Sequence, residues 1–170
     1  YDFLRVDQTA DGILNVVIGD VSGHGIAAGL LMTTARALIR SRSAQPGTLS
    51  EIVTDVNRDL TLDIYDTGRF TTLLYLTVDT QNHLVKWVRA GHDAPLLYDP
   101  VSDRFEELYG SGLALGWDEN YPYEENQRTG LTKGQIIFMG TDGIWETFDL
   151  NHKPFGKKTL KERISGNADE

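Results

Sequence analysis

Residues 13–31 read ILNVVIGDVSGHGIAAGLL. An apolar, β-prone run ends at Asp20 and passes through the glycine-rich turn SGHG. From Ile26 to about Ser41, Ala, Leu and Met then replace the β-branched residues, which predicts a helix. The stretch is therefore a strand, a tight turn and a helix, with an aspartate at the junction. Upstream, YDFLRVD is a second apolar, β-prone segment, separated from the first by QTADG. Downstream, Pro46 and Gly47 precede another helix. Thr48 can cap it, Glu51 completes a capping box, and Leu49, Ile52, Val53, Val56 and Leu60 recur on one face. Phe70–Val78 and Leu84–Ala90, joined by DTQNH, predict an antiparallel hairpin. Short strands are expected at Pro95–Tyr98, Tyr121–Arg128 and Gln135–Met139. A last helix is expected near Lys157, with Leu160 and Ile164 on one side. Strands this close leave no room for repeated crossover helices, so the pattern is α+β and not doubly wound. Periodicity alone leaves open whether there is one sheet or two.

At 170 residues the chain is expected to form one domain, 1–170, able to bury roughly 70% of its unfolded surface. It opens without Met in an apolar segment and ends just after a helix has begun, so both ends are expected to be cut. The absence of Cys excludes a disulfide scaffold, a thiolate metal site and a cysteine nucleophile, and is compatible with a cytoplasmic protein. No apolar run is long enough for a membrane span. A formal charge of −9 argues against unaided binding to nucleic acid or anionic lipid.

Asp142, in FMGTDGIWE, repeats the setting of Asp20 after the apolar run Ile136–Met139. A strand-end aspartate is fixed by the sheet behind it and open at the rim, which suits a metal ligand or an acid–base group. Asp-Gly is also a common turn pair, so ordinary turn chemistry is the competing reading. Carboxylate, main-chain carbonyl and water favour Mg²⁺ or Mn²⁺ over zinc, and His24, His83, His92 and His152 have no close ligand spacing. Asp2, Asp118 and Asp149 are weaker carboxylate candidates. SGHG lacks the lysine of a P-loop and the spacing of a dinucleotide loop. Ser22 reads as a local cap before a nucleophile, and His92 in RAGHDAP as either a rim residue or a satisfied turn histidine.

The segments GDVSGHGIAAGLLM, FTTLLY, RAGHDAPLLY, GLALG and KGQIIFMGTDGIWE, in that order, resemble the bacterial PPM/PP2C-like serine/threonine phosphatases of the SpoIIE/RsbU type. The resemblance implies a PP2C-like, four-layer αββα sandwich of two antiparallel sheets flanked by helices, with residues 26–41 and 48–60 covering one face. It implies a binuclear Mn²⁺ or Mg²⁺ centre in which Asp20 bridges the ions, the main-chain oxygen of Val21 joins one and Asp142 binds the other. Two further family aspartates have no equivalent here and are expected outside this segment, before Tyr1 and after Glu170. Asp2 is a poor substitute, and the acid role of the eukaryotic DGH histidine is not transferred to His24. The implied function is a metal-dependent protein serine/threonine phosphatase acting on a phosphorylated regulatory protein of the anti-anti-sigma type, behind an N-terminal sensor or receiver domain. The alternative is a catalytically inactive phosphatase-like module that binds a regulatory partner.

Overall fold

The computed structural model describes residues 2–8, 12–150 and 152–168. Its elements divide between two compact units, Tyr1–His92 with Gly110–Leu131, and Asp93–Tyr109 with Thr132–Glu170. The first unit holds β1 (Asp2–Gln8), β2 (Ile13–Val21), α1 (Gly25–Ser43), α2 (Leu49–Ile64), β3 (Thr71–Asp79), β4 (Leu84–Ala90) and β7 (Asn126–Thr129). Its five strands form an antiparallel sheet in the order β1-β2-β3-β4-β7. The predicted hairpins and helices are present, and both helices lie on one face of this sheet, as expected.

The helices take that position because each has one apolar stripe. Leu31, Ala35 and Ile39 of α1 and Ile52, Val53, Val56 and Leu60 of α2 share a buried core with Val17, Leu73, Tyr75, Val88 and Ala90 of the sheet. Full burial of one such aliphatic side chain contributes about 1.5–3 kcal/mol. The Thr48–Glu51 capping box forms in both directions and starts α2 where the sequence placed it. Arg42 donates from Nε to Asp55 at 2.7 Å and from its guanidinium to Pro46 O at 3.0 Å, locking the connection between the helices. Asn57, fully buried on α2, donates to Asp118 O and accepts from Gly116 N, so the segment Gly116–Asp118 is pinned to the helix.

The second unit carries β5 (Leu96–Asp99), β6 (Arg104–Glu107) and β8 (Ile136–Phe138) in an antiparallel sheet ordered β6-β5-β8, with α3 (Asp142–Trp145) and α4 (Gly156–Gly166). Leu160 is the buried anchor of α4. Lys157 lies 4.7 Å over the Trp145 ring and 2.8 Å from Asp93, while Lys161 reaches Glu107.

Three local expectations change. The strand expected at Tyr121–Arg128 is confined to β7. Pro122 has no N–H for a ladder, and its neighbours bond elsewhere: Tyr123 O accepts from Ser50 Oγ, and Glu125 accepts from Leu49 N at the start of α2. Strand β6 was not expected, because RFEE is a short, charged edge segment whose only apolar side chain stacks on Tyr98. Asp142 does not end a strand. β8 stops at Phe138, and Asp142 is the first residue of the one-turn helix α3.

Candidate functional site

The site residues on β2 are placed by register. Asp20 pairs with Thr72 and Val21 with Thr71 on β3. Ser22 N donates to Phe70 O at 2.9 Å, whereas Thr71 exchanges both main-chain bonds with Leu115. Antiparallel pairs alternate between bonded and non-bonded, so Val21–Thr71 is a non-bonded pair and the Val21 carbonyl points away from β3. That orientation leaves this oxygen available, as a main-chain ligand requires. Ser22 is a staple: Phe70 N donates to its hydroxyl at 2.9 Å, and Arg69 donates to its carbonyl at 3.2 Å. Ser22 is therefore not the local cap expected from the sequence: His24 is the N-cap of α1, and the Ser22 hydroxyl serves a main-chain N–H 48 residues on. Gly23, with φ of 88°, leaves the space that the Arg69 guanidinium takes, since a Cβ there would stand 2.8 Å from it. His24 is the exposed N-cap residue of α1 and makes no side-chain capping bond.

The carboxylates of Asp20 and Asp142 differ from those of Asp79, Asp99, Asp118 and Asp149, which accept bonds from the main chain beside them. Asp79 accepts from Gln81 N and Asn82 N, and the bonds from Asn82 hold its carboxyl below the usual carboxylate range. Asp99 accepts from Val101 N, Asp118 from Asn120 N and Asp149 from Lys153 N. Asp118 and Asp149 thus serve turns and leave the set of metal candidates. Among the described residues, nothing donates a hydrogen bond to the side chain of Asp20 or of Asp142, and neither forms an ion pair. Asp142 is exposed at the start of α3, where Thr141 is the N-cap. Turn chemistry therefore does not account for either carboxylate. Asp2 pairs with Gly19, one position out of register with Asp20.

Two residues beside Asp20 drew no or divided attention in the sequence. Thr72, its cross-strand neighbour, has its hydroxyl 2.8 Å from His92 Nδ1 and 3.4 Å from Asp20 O. His92 is 3% exposed, so it is an interior histidine and not a rim residue; its Nδ1 meets Thr72, while its Nε2 is buried without a hydrogen-bond partner among the described residues. Nothing local to FTTLLY or RAGHDAP marks this pairing; it depends on how β3 and the chain after β4 meet.

Taken singly, the open carboxylates of Asp20 and Asp142 and the main-chain carbonyl of Val21 are each oxygen donors of the type that a hard divalent cation takes. Among the described residues, no group of three or more His, Asp or Glu side chains gathers as a complete metal site. The fit is in ligand type, and the count calls for further ligands.

Comparison with known proteins connects this geometry to a family. The family model for stage II sporulation protein E (SpoIIE) matches residues 10–170. Phosphoserine phosphatase RsbU of Bacillus subtilis (strain 168) is 28% identical over 173 residues, an alignment covering all of this chain and 50% of the relative. Phosphoserine phosphatase RsbP of the same organism is 24% identical, with 96% of this chain and 42% of the relative covered. The chain thus spans half or less of the length of these curated relatives. Among solved structures, the RsbU and RsbW domains of Rv1364c from Mycobacterium tuberculosis superpose with a TM-score of 0.80 at 22% identity, covering 99% of this chain and 45% of that one. The PP2C phosphatase domain of SpoIIE from Bacillus subtilis, solved with a fragment of its regulatory domain, gives 0.79 at 19%, covering 97% and 47%. The fold is accordingly the PP2C-like α+β architecture of two antiparallel sheets flanked by helices. With the family match running over nearly the whole chain and the motifs in their family order, this chain belongs to the SpoIIE family of PP2C-type phosphatase domains.

Proposed function

We propose that residues 1–170 act as one domain of a metal-dependent protein phosphatase that hydrolyses phosphoserine or phosphothreonine on a regulatory protein. The observation that carries the reading is that, among the described residues, nothing donates to the carboxylates of Asp20 and Asp142, while Asp79, Asp99, Asp118 and Asp149 each accept a main-chain N–H a few residues on. Asp20, the Val21 carbonyl and Asp142 would hold Mn²⁺ or Mg²⁺, with the remaining ligands of a binuclear centre outside this chain segment. Such ions supply positive charge against the phosphoryl oxygens and lower the pKa of a bound water. The chain's own residues orient this chemistry: the β2–β3 register fixes the main chain of Asp20 and Val21, and the Ser22–Phe70 staple keeps the following turn in place. The Ser22 hydroxyl is committed to Phe70 N, and the chain has no cysteine, so direct attack by water is favoured over a phosphoenzyme. The water oxygen bonds to phosphorus, the P–O ester bond breaks, and a proton ends on the released serine or threonine hydroxyl.

The relatives RsbU and RsbP are named as phosphoserine phosphatases, which supports this substrate class, and an anti-anti-sigma protein is the regulatory substrate we favour. A chain of charge −9 repels phosphoproteins at long range, so docking would rest on local complementarity. A sensor or receiver domain N-terminal to this segment and a cytoplasmic location complete the proposal. The second reading, an inactive module that binds a regulatory partner, draws on the incomplete ligand count among the described residues. Phosphoserine-peptide turnover by the full-length protein, stripped of metal and then supplied with Mn²⁺ or Mg²⁺, separates the two. Turnover that depends on added ion is expected. Activity that survives exhaustive chelation overturns the metal mechanism, and no turnover under any condition favours the binding module.

A further inference from the structure

The Thr72–His92 contact has a consequence for the neighbouring carboxylate. Asp20 and Thr72 stand directly opposite on β2 and β3, so their side chains leave the same face as nearest cross-strand neighbours. A free threonine hydroxyl in that position is within reach of the Asp20 carboxylate once both rotate toward each other. It does not make that bond. Its oxygen lies instead 2.8 Å from His92 Nδ1 and leans toward the Asp20 main-chain oxygen at 3.4 Å. The main chain that carries this imidazole is fixed from several sides. His92 O accepts from Arg89 Nε at 2.7 Å, and the same guanidinium reaches Gly110 O at 2.8 Å. Gly91, at φ 70°, turns the chain into place and donates to Gly112 O; a Cβ on Gly91 would stand 2.9 Å from Ala114 N. A ring buried to 3% exposure on so rigid a support restricts Thr72 to one rotamer.

We propose that His92 is a positioning residue that sequesters the Thr72 hydroxyl and thereby leaves the Asp20 carboxylate free for a divalent cation. The inference rests on the phosphatase reading and adds to it a determinant of metal affinity. If His92 cannot hold the hydroxyl, Thr72 turns to Asp20 and draws the carboxylate across the ladder, away from the end of the strand. A hydrogen bond to a charged group is strong enough to compete with ligation at this level.

The test is Mn²⁺ binding to the full-length protein, read as free Mn²⁺ by electron paramagnetic resonance without substrate, beside phosphoserine-peptide turnover. His92→Leu should weaken Mn²⁺ binding about ten- to a hundredfold, the usual range for groups that orient a ligand, with kcat recovered at saturating Mn²⁺. His92→Asn, which keeps a polar atom near the Nδ1 position, should bind close to wild type. Thr72→Val, which deletes the hydroxyl in a β-branched shape, should stay within about threefold of wild type, the spread of an uninvolved substitution. Adding Thr72→Val to His92→Leu should restore the lost affinity. A merely structural histidine predicts the opposite, a double variant no better than His92→Leu. That result overturns the proposal, as does a tenfold loss in Thr72→Val alone, which stays readable even if His92→Leu fails to fold. If wild type binds no Mn²⁺ and shows no turnover, the phosphatase reading falls and takes this inference with it. If wild type binds and turns over while His92→Leu binds equally well, only this inference falls.

Discussion

Replacing Asp20 with Asn keeps the size of the side chain and removes one negative charge. Among the described residues nothing donates to this carboxylate, so the metal-free fold loses no contact. In a chain of charge −9, one fewer anion is neutral to slightly favourable. Stability in chelator should therefore stay within about 0.5 kcal/mol of wild type, or at most about 2 °C in melting temperature for a chain of this length. Asp55→Asn supplies the contrast. It breaks the 2.7 Å bond from Arg42 and the 3.2 Å bond from Arg58, with the Asp55 side chain 37% exposed. Such a half-exposed pair is worth about 0.5–1 kcal/mol, so this variant should melt lower although it removes the same charge. The order reverses with Mn²⁺. An amide oxygen is a neutral, weaker ligand, and since groups behind the ligands already account for about 10–100-fold in affinity, loss of a ligand should exceed about a hundredfold. Asp20→Asn should show no Mn²⁺-induced rise in melting temperature and no Mn²⁺-dependent phosphopeptide turnover, and Asp55→Asn should keep both. The assay is a melting series in chelator and in graded Mn²⁺, with turnover measured on the same preparations. The reasoning is refuted if Asp20→Asn melts several degrees lower in chelator yet turns over phosphopeptide like wild type per folded molecule.

Thr48→Ala should cost about 1 kcal/mol by breaking the capping box, seen as a lower urea midpoint. The Thr48 N–H and hydroxyl hold the Glu51 carboxyl below its ordinary value, so the wild-type advantage is present at neutral pH and fades as pH falls through the carboxylate range; a constant gap down to pH 3 contradicts it. Gly112→Ala should destabilise by about 3 kcal/mol or more, because its Cβ would stand 1.6 Å from the Arg89 main-chain oxygen, where no rotamer change relieves the overlap. A Gly112→Ala variant as stable as wild type in urea would show that this close approach is absent in solution. Burial pushes the Tyr75 and Tyr123 hydroxyls up, against a Ser43 bond in the first case and with help from Tyr121 and Asp118 in the second. Above about pH 10 the unfolded chain releases protons that the fold retains, so stability should fall, and an ultraviolet titration should show these two ionising only with unfolding.

Local order was legible because its causes are local. The Thr48–Glu51 box, the apolar face from Leu49 to Leu60 and the strand running into Asp20 are each written within one helical turn or one strand, and the structure places them as read. The motif order from GDVSGHG to TDGIWE also sufficed to name the family. The strand expected at Tyr121–Arg128 failed where long-range partners claimed the backbone: Tyr123 O and the Glu125 side chain serve the start of α2, some seventy residues earlier in the chain. Asp142 was read as a strand end, because the sequence does not mark where β8 stops and the one-turn helix begins.

The sequence by itself determined the α+β class, the helix starts, the exclusion of thiolate chemistry and the three residues proposed to hold metal. The two sheets that the family resemblance implied are present, but only tertiary structure decided that the segment after Tyr121 serves the start of α2 and that Thr72 is held by His92. The physical reason is the range of the forces involved. Propensity, capping and apolar periodicity act over a few residues and leave their mark in the local sequence. A hydrogen-bond partner for a side chain is chosen by strand register and by the meeting of segments far apart in the chain, and such a choice exists only once the fold has formed.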